Sequence, residues 1–392
     1  AEHNPAPLSP AHAWLMDWLR GQRPAAGDPT VLAGWLYVRT LPRDLARHRR
    51  PSSSASAVPT ALEAIEQLHE RTLPAARERL GALVEHLEDA GDPEALVAAL
   101  PEAQAAFLAM IDAYVGVLVP ARTVARRALG RALPTDAERP LTTRGRDEFL
   151  DVLPATWDLA SPSLAELGAR RSDESWTLPS TEAEAATLLG EWDDHLFALG
   201  LAPLRAWFLA AGRRLALGDD AFMLTAPEVV AALRGETDGL RERIAGRREL
   251  QHRRAALRPP LRIEDGRPVS FGRRTRLRGV PIGPSFTGRL APRDDLPALL
   301  ADPPGPDAIV TLPSLTAPAA VALQQLGVRA VCCEHGGALS HAALMARELG
   351  LSALVGCRGC TELPAGARAR LDTTAGRLVL EPTATPPTGA TG

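Results

Sequence analysis

The segment Glu334-His335-Gly336-Gly337-Ala338-Leu339-Ser340-His341-Ala342-Ala343-Leu344-Met345-Ala346-Arg347-Glu348-Leu349-Gly350 lies between two apolar runs, Arg329-Ala-Val-Cys-Cys333 and Ser352-Ala-Leu-Val355. The flanking runs read as buried strands, and the segment between them reads as a loop followed by a helix. Gly336 and Gly337 form the loop, Ser340 stands at the N-cap, and His341 takes the first helical position. Gly350 closes the helix as a C′ glycine. Helix N-termini expose free amides and a partial positive charge, so they hold anions well. Paired glycines let backbone N–H groups approach a phosphate without interference from a Cβ. A histidine at such a place can attack phosphorus, and the surrounding amides can cradle the group it accepts.

Working outward, Ala308-Ile-Val-Thr311 and Arg377-Leu-Val-Leu-Glu381 read as further strands, and residues 318–326 as a helix. Strand alternating with helix predicts a small α/β unit of the βαβ kind. The chain before it has a different composition. All seven Trp, both Tyr and five of the seven Phe lie between Trp14 and Phe222, whereas glycine thickens after Gly266. Helix starts are marked there by the capping-box patterns Thr60-Ala-Leu-Glu63, Thr181-Glu-Ala-Glu184 and Thr225-Ala-Pro-Glu228. The stretch Ala105 to Val119 is apolar almost all round and reads as a central buried helix stopped by Pro120. Further helices are expected at 183–199, 203–217, 226–234 and 236–256. The expected architecture is multidomain, α and α/β. A large mostly helical domain (1–257), which the resemblance described below makes the substrate-binding one, is followed by a Pro/Gly/Arg-rich linker (258–276) that the same resemblance makes the hinge, then the small domain (277–382) and a disordered tail (383–392). The low-complexity run Pro51-Ser-Ser-Ser-Ala-Ser56 reads as a mobile loop.

Composition narrows the chemistry. The 392 residues include 44 basic and 47 acidic side chains, and every one of the 44 is arginine. Without lysine, P-loop and Schiff-base chemistry are excluded. Codon bias in a GC-rich genome accounts for the absence. A net charge of -3 argues against nucleic acid as the main partner. Four cysteines in so long a chain do not make a disulfide framework. The start of the sequence lacks a signal pattern, and no uninterrupted run reaches the ~18 apolar residues of a membrane helix. The expectation is a soluble, cytoplasmic protein without a membrane partner.

The motif Gly336-Gly-x-x-Ser-His341-Ala-Ala-x-x-Ala-Arg-Glu-Leu-Gly350, continued by Ser352-Ala-Leu-Val-Gly356, resembles the phosphohistidine swivelling domain of phosphoenolpyruvate (PEP)-utilising enzymes. Gly279-Val-Pro-Ile-Gly-Pro284 and Asp372-x-x-x-Gly376 fit as well, so the resemblance spans about residues 277 to 382. It implies a β/β/α fold, a mobile hinge, and His341 as carrier of a phosphoryl group between two sites, with Gly336, Gly337 and Ser340 binding the phosphate. Domain order and Asp220-Ala-Phe-Met-Leu-Thr225 are similar to the rifampin phosphotransferase group; Asn4-Pro-Ala-Pro-Leu-Ser-Pro10 is more weakly so. Those proteins open with an ATP-grasp domain, and nothing before residue 277 resembles one.

The resemblance therefore implies a phosphotransferase of dikinase type whose ATP and Mg2+ sit on a separate ATP-grasp protein or a missing N-terminal domain. The acceptor would be a small apolar molecule in the helical domain, its binding residues unassigned. Two alternatives are a non-catalytic scaffold that retained the swivelling domain, and an enzyme coupling phosphorylation to elimination.

Other groups read more plainly. Cys357-Arg-Gly-Cys360 has metal or redox spacing, but adjacent Cys332 and Cys333 on a strand face opposite ways and no second CxxC exists, so no metal site is expected. Asp193, Asp194 and His195 beside Trp192 form a possible acid–base group, but read first as the solvated face of a helix. Trp14, Trp18, Trp35, Trp192 and Trp207 read as core ahead of a ligand pocket. Arg347, six residues beyond His341, falls off its face and reads as structural.

Overall fold

The computed structural model describes residues 7–23, 29–38, 58–89, 92–129, 151–154, 156–163, 165–166, 178–189, 192–255, 257, 263–264, 266–268, 277–336, 343, 346–347 and 349–381. They divide into two compact units, with the boundary between Arg258 and Pro259.

The first unit is helical. Its described elements are α1 (Pro10–Gln22), the hairpin β1 (Pro29–Leu32) and β2 (Trp35–Val38), α2 (Ala61–Gln67), α3 (Leu73–Asp89), α4 (Pro93–Ala113), α5 (Val119–Leu129), α6 (Glu182–Leu188), α7 (Trp192–Arg214), α8 (Ala226–Leu233) and α9 (Leu240–Ala255). Thr60 with Glu63 and Thr225 with Glu228 form reciprocal capping boxes. At Thr181 only half of that device is present. Its hydroxyl accepts from the Glu184 N–H, but the Glu184 carboxylate takes its hydrogen bonds from Ser180.

Two expectations need correction. Pro120 does not stop a helix, because a π-helical turn (Tyr114–Leu118) leads from α4 into α5. A proline ring crowds the carbonyl four residues back, here Gly116. The wider turn, closed by Val119 N–H to the Tyr114 carbonyl, carries the chain past that point. Nor is this helix buried all round: Leu96, Ala99, Ala103, Phe107 and Ile111 make one buried stripe. The second correction concerns the expected break near residue 200. The helix α7 runs unbroken through Gly200 and Pro203. A Cβ at Gly200 would meet Phe107 at 3.1 Å and Met110 at 3.2 Å, so the glycine permits close packing of α7 on α4. The core buried there, including Leu204, Trp207 and Phe208, outweighs the ~3 kcal/mol that an internal proline costs.

Pro93–Ala125 and Trp192–Arg214 are long and apolar enough to cross a membrane, which counting uninterrupted apolar runs had not revealed. Buried helices of soluble proteins pass the same test, and 72% of the apolar window in α7 is buried within the protein.

The second unit is built on one seven-stranded sheet. Its elements are β5 (Val280–Ile282), β6 (Phe286–Pro292), α10 (Leu296–Ala301), β7 (Ala308–Leu312), α11 (Ala317–Gln325), β8 (Ala330–Cys333), β9 (Ser352–Val355), β10 (Arg368–Asp372) and β11 (Arg377–Leu380), in sheet order β11-β10-β6-β7-β8-β9-β5. Strands β6 to β9 run parallel, and the three outer strands pair antiparallel. Every residue of β7, β8 and β9 is buried, as expected of central parallel strands covered on both faces.

The sequence reading missed β5, β6, β10 and α10. Strand β10 alternates outward Arg368 and Arg370 with buried Ala369 and Leu371, but arginine and alanine are weak strand formers. Strand β6 contains Gly288, where a Cβ would lie 2.2 Å from the Asp307 carbonyl oxygen. Strand β5 holds Pro281 at the sheet edge, where its missing N–H costs no internal ladder bond. In the stretch read as a hinge, β3 (Ile263–Glu264) and β4 (Arg267–Pro268) pair as a short antiparallel hairpin.

Burial pulls the Glu228 carboxyl upward, but hydrogen bonds from Arg247 and from Thr225 overcome this and hold it at about 2. Because the folded value lies below the unfolded one, this stabilisation is complete above roughly pH 4.5 and vanishes as the pH falls towards 2. Glu228→Gln should cost about 2 kcal/mol at pH 7 and almost nothing at pH 2, read by urea denaturation at both pH values.

Candidate phosphohistidine site

The parallel strands converge on one edge, and in open α/β sheets ligands gather outside the carboxyl ends of such strands. Strand β8 delivers Glu334, His335 and Gly336 there. The three are held from two sides. On one side the N–H groups of Glu334 and His335 donate to the carbonyls of Leu312 and Pro313, at 3.2 and 3.0 Å. His335 Nδ1 also lies 2.6 Å from the Pro313 carbonyl oxygen. A carbonyl only accepts, so Nδ1 is the donor in this contact.

On the other side stands the turn after β9. The Glu334 carboxylate accepts from both the N–H and the hydroxyl of Thr361. The Gly336 carbonyl oxygen lies 2.6 Å from the position a Cβ would take on Gly356, and Gly356 has φ +77°. Gly336 itself has φ +122°, a conformation closed to other residues without strain. The Gly336 carbonyl is thus seated where Gly356 carries no side chain, and glycine backbone of this kind is what lets an anion come close to backbone amides.

Of the site residues named from the sequence, Gly336 occupies this edge; Gly337, Ser340 and His341 lie outside the described residues. The far end of the helix expected at 341–349 is partly described. Gly350 has φ +62°, its N–H donates to the Arg347 carbonyl, and Leu351 N–H donates to the Ala346 carbonyl. That pair of bonds is a Schellman closure, as a C′ glycine requires. Arg347 is half-buried in this closing turn. The holding of Glu334 by Thr361 was invisible in the sequence, since 27 residues separate them. Gly356 alone carried a signal, as the glycine ending the Ser352 run.

The four cysteines are all buried, and none is in a disulfide. Cys332 shares an apolar cluster with Cys357 and Cys360 on one face of the sheet, while the Cys333 thiol donates to the His335 carbonyl. Among the described residues, no three His, Cys, Asp or Glu side chains converge as a metal site.

A second group of titratable side chains lies in the first unit, and here the reading of a solvated face is overturned. Asp193 meets Arg122 of α5 at 3.1 Å with only 26% of its side chain exposed, and His195 is 2% exposed. The start of α7 packs inward because Trp192 and Leu196 on the same turn are core residues. Burial and the neighbouring Asp194 push the Asp193 carboxyl up to about 6, against the pull of Arg122. Burial likewise raises Tyr114, which faces Asp193 and Arg122 from the π-helical turn. Trp207 and Trp192 lie in the interior, Trp35 is buried, and Trp14 stacks on Trp18 at 6.1 Å against the core. The same unit contains a pocket of about 230 Å³, walled mainly by Leu80, Val84, Leu159, Leu201 and Leu209, with Arg205 among its polar residues.

Two outcomes follow from this geometry. Gly356→Ala should cost about 1–3 kcal/mol, because the new Cβ meets a backbone oxygen at an unfavourable φ; chemical denaturation measures it. For Asp193 the folded value exceeds the unfolded one, so the folded state takes up the proton first and gains stability as the pH falls from about 6 towards 3.8. Asp193→Asn should remove that gain, seen as a difference between the two stability profiles over this window.

Residues 304–376 match the family model described as PEP-utilising enzyme, mobile domain. No curated protein matches the chain. The matched span starts before β7, ends after β10 and encloses the Gly336–His341 motif, so the second unit contains a segment similar to the mobile domain of PEP-utilising enzymes.

Proposed function

We propose that the protein is a dikinase-like phosphotransferase component with the layout of the rifampin phosphotransferase group, acting in the cytoplasm. An imidazole nitrogen of neutral His341 attacks a phosphorus of ATP held with Mg2+ on an ATP-grasp partner or domain. An N–P bond forms and the P–O bond to the departing nucleotide breaks. Backbone amides of Gly336 and Gly337 and the Ser340 hydroxyl hold the charge on the transferred group. The domain then swings on residues 258–276, and an acceptor hydroxyl attacks phosphorus as the N–P bond breaks.

The observation that carries this reading is the mobile-domain match across the Gly-Gly-x-x-Ser-His motif. The positive φ of Gly336 and its side-chain-free seat on Gly356 support a phosphate-binding role for that loop. The apolar pocket in the helical unit supports an acceptor that is small and largely apolar.

The test is labelling. With 32P-ATP and an ATP-grasp protein from the same source, the chain should acquire an acid-labile, alkali-stable label on His341. His341→Ala should lose the label entirely; a label that persists in the variant overturns the assignment.

A further inference from the structure

The turn that seats Gly336 carries an unassigned pair of thiols. Its residues Cys357, Arg358, Gly359 and Cys360 are closed by a hydrogen bond from the Cys360 N–H to the Cys357 carbonyl, at 3.3 Å. Such a turn holds its first and last Cα atoms within ~7 Å, inside the reach of a disulfide. Both thiols point inward to the apolar cluster that also contains Cys332. The Cys360 thiol also donates to the Cys332 carbonyl, at 3.6 Å.

We infer that Cys357 and Cys360 form a redox-active dithiol whose closure to a disulfide acts on the strand-to-loop segment Glu334–Gly336. The pair is bracketed by the two contacts that hold this segment. Gly356, immediately before Cys357, receives the Gly336 carbonyl, and Thr361, immediately after Cys360, holds the Glu334 carboxylate. A covalent change between the two sulfurs therefore falls between both supports of the phosphate loop. No other turn in the described part of this unit has that position.

The chemistry needs a two-electron oxidant, and a small peroxide suffices. The Cys357 thiolate attacks one peroxide oxygen, breaking the O–O bond and giving a sulfenic acid and water once a proton is taken up. The Cys360 sulfur then displaces the hydroxyl as a second water, so two thiols and one peroxide yield one disulfide and two waters. Hydrogen bonds from the Cys332 and Cys360 thiols lower the Cys357 thiol to about 5, which favours it as the attacking sulfur, whereas burial pushes Cys332 up. Both sulfurs are buried, but the turn is a surface feature with Arg358 and Gly359 half-exposed. Opening four residues admits a molecule as small as peroxide.

The sequence supplies a direct assay, because trypsin cuts after Arg358, between the two cysteines. Reduced folded protein is treated with hydrogen peroxide, alkylated under denaturing conditions and digested. The expected product is the peptide 348–358 joined to 359–368 through a disulfide, with two of the four thiols still alkylated. In Cys360→Ala, Cys357 should stop at the sulfenic acid and be trapped by dimedone. Hydrogen exchange of the peptide containing 334–336 should differ between reduced and oxidised wild type and not in Cys360→Ala. Four alkylated thiols after treatment, a disulfide that joins peptide 330–347 instead, or unchanged exchange at 334–336 would each overturn the inference. None of these readouts depends on phosphotransfer.

Discussion

The backbone contact between Gly336 and Gly356 is the constraint on which the second unit's chemistry rests. One glycine carbonyl occupies the space where the other would carry a side chain. That closeness exists because β8 and β9 are parallel neighbours in register, with Cys333 opposite Val355, and because Cys357 N–H extends their pairing by donating to the Cys333 carbonyl at 2.8 Å. Chain leaving one strand is thereby pressed against chain leaving the next.

The helical unit obeys the same principle on a larger scale. Gly200 lets α7 approach α4 closely, and the burial gained there sustains a helix that contains an internal proline. The same inward packing draws Asp193 and His195 out of water. A pattern of charges that local rules assign to solvent is placed in a half-dry setting with Arg122 and Tyr114. The two π-helical turns of this unit, at Leu68–Thr72 and Tyr114–Leu118, belong to the same economy, since each lets a long helix continue with altered register.

Much of the second unit is legible in the sequence alone. Its three central strands are continuous apolar runs and stand out in the sequence, as does the outermost strand β11. Strand β10 does not, because what makes Arg368-Ala-Arg-Leu-Asp372 a strand is its neighbour β6, not its own composition. Helix starts were legible where a threonine and a glutamate cap each other within one turn. The end at Gly350 was legible too, but the effect of the prolines was not, because Pro120 and Pro203 act according to the turn and the packing around them.

The sequence by itself determined the chemistry offered: a histidine after paired glycines and a serine, no lysine, and a change from aromatic-rich helices to a glycine-rich α/β unit. These are properties of adjacent residues, and local rules read them directly. Only the tertiary structure decided that Glu334 is held by Thr361, that Gly336 rests on Gly356, that three cysteines meet, and that Asp193 leaves water. Each of those contacts joins residues far apart in the chain, and strand register and helix packing bring them together.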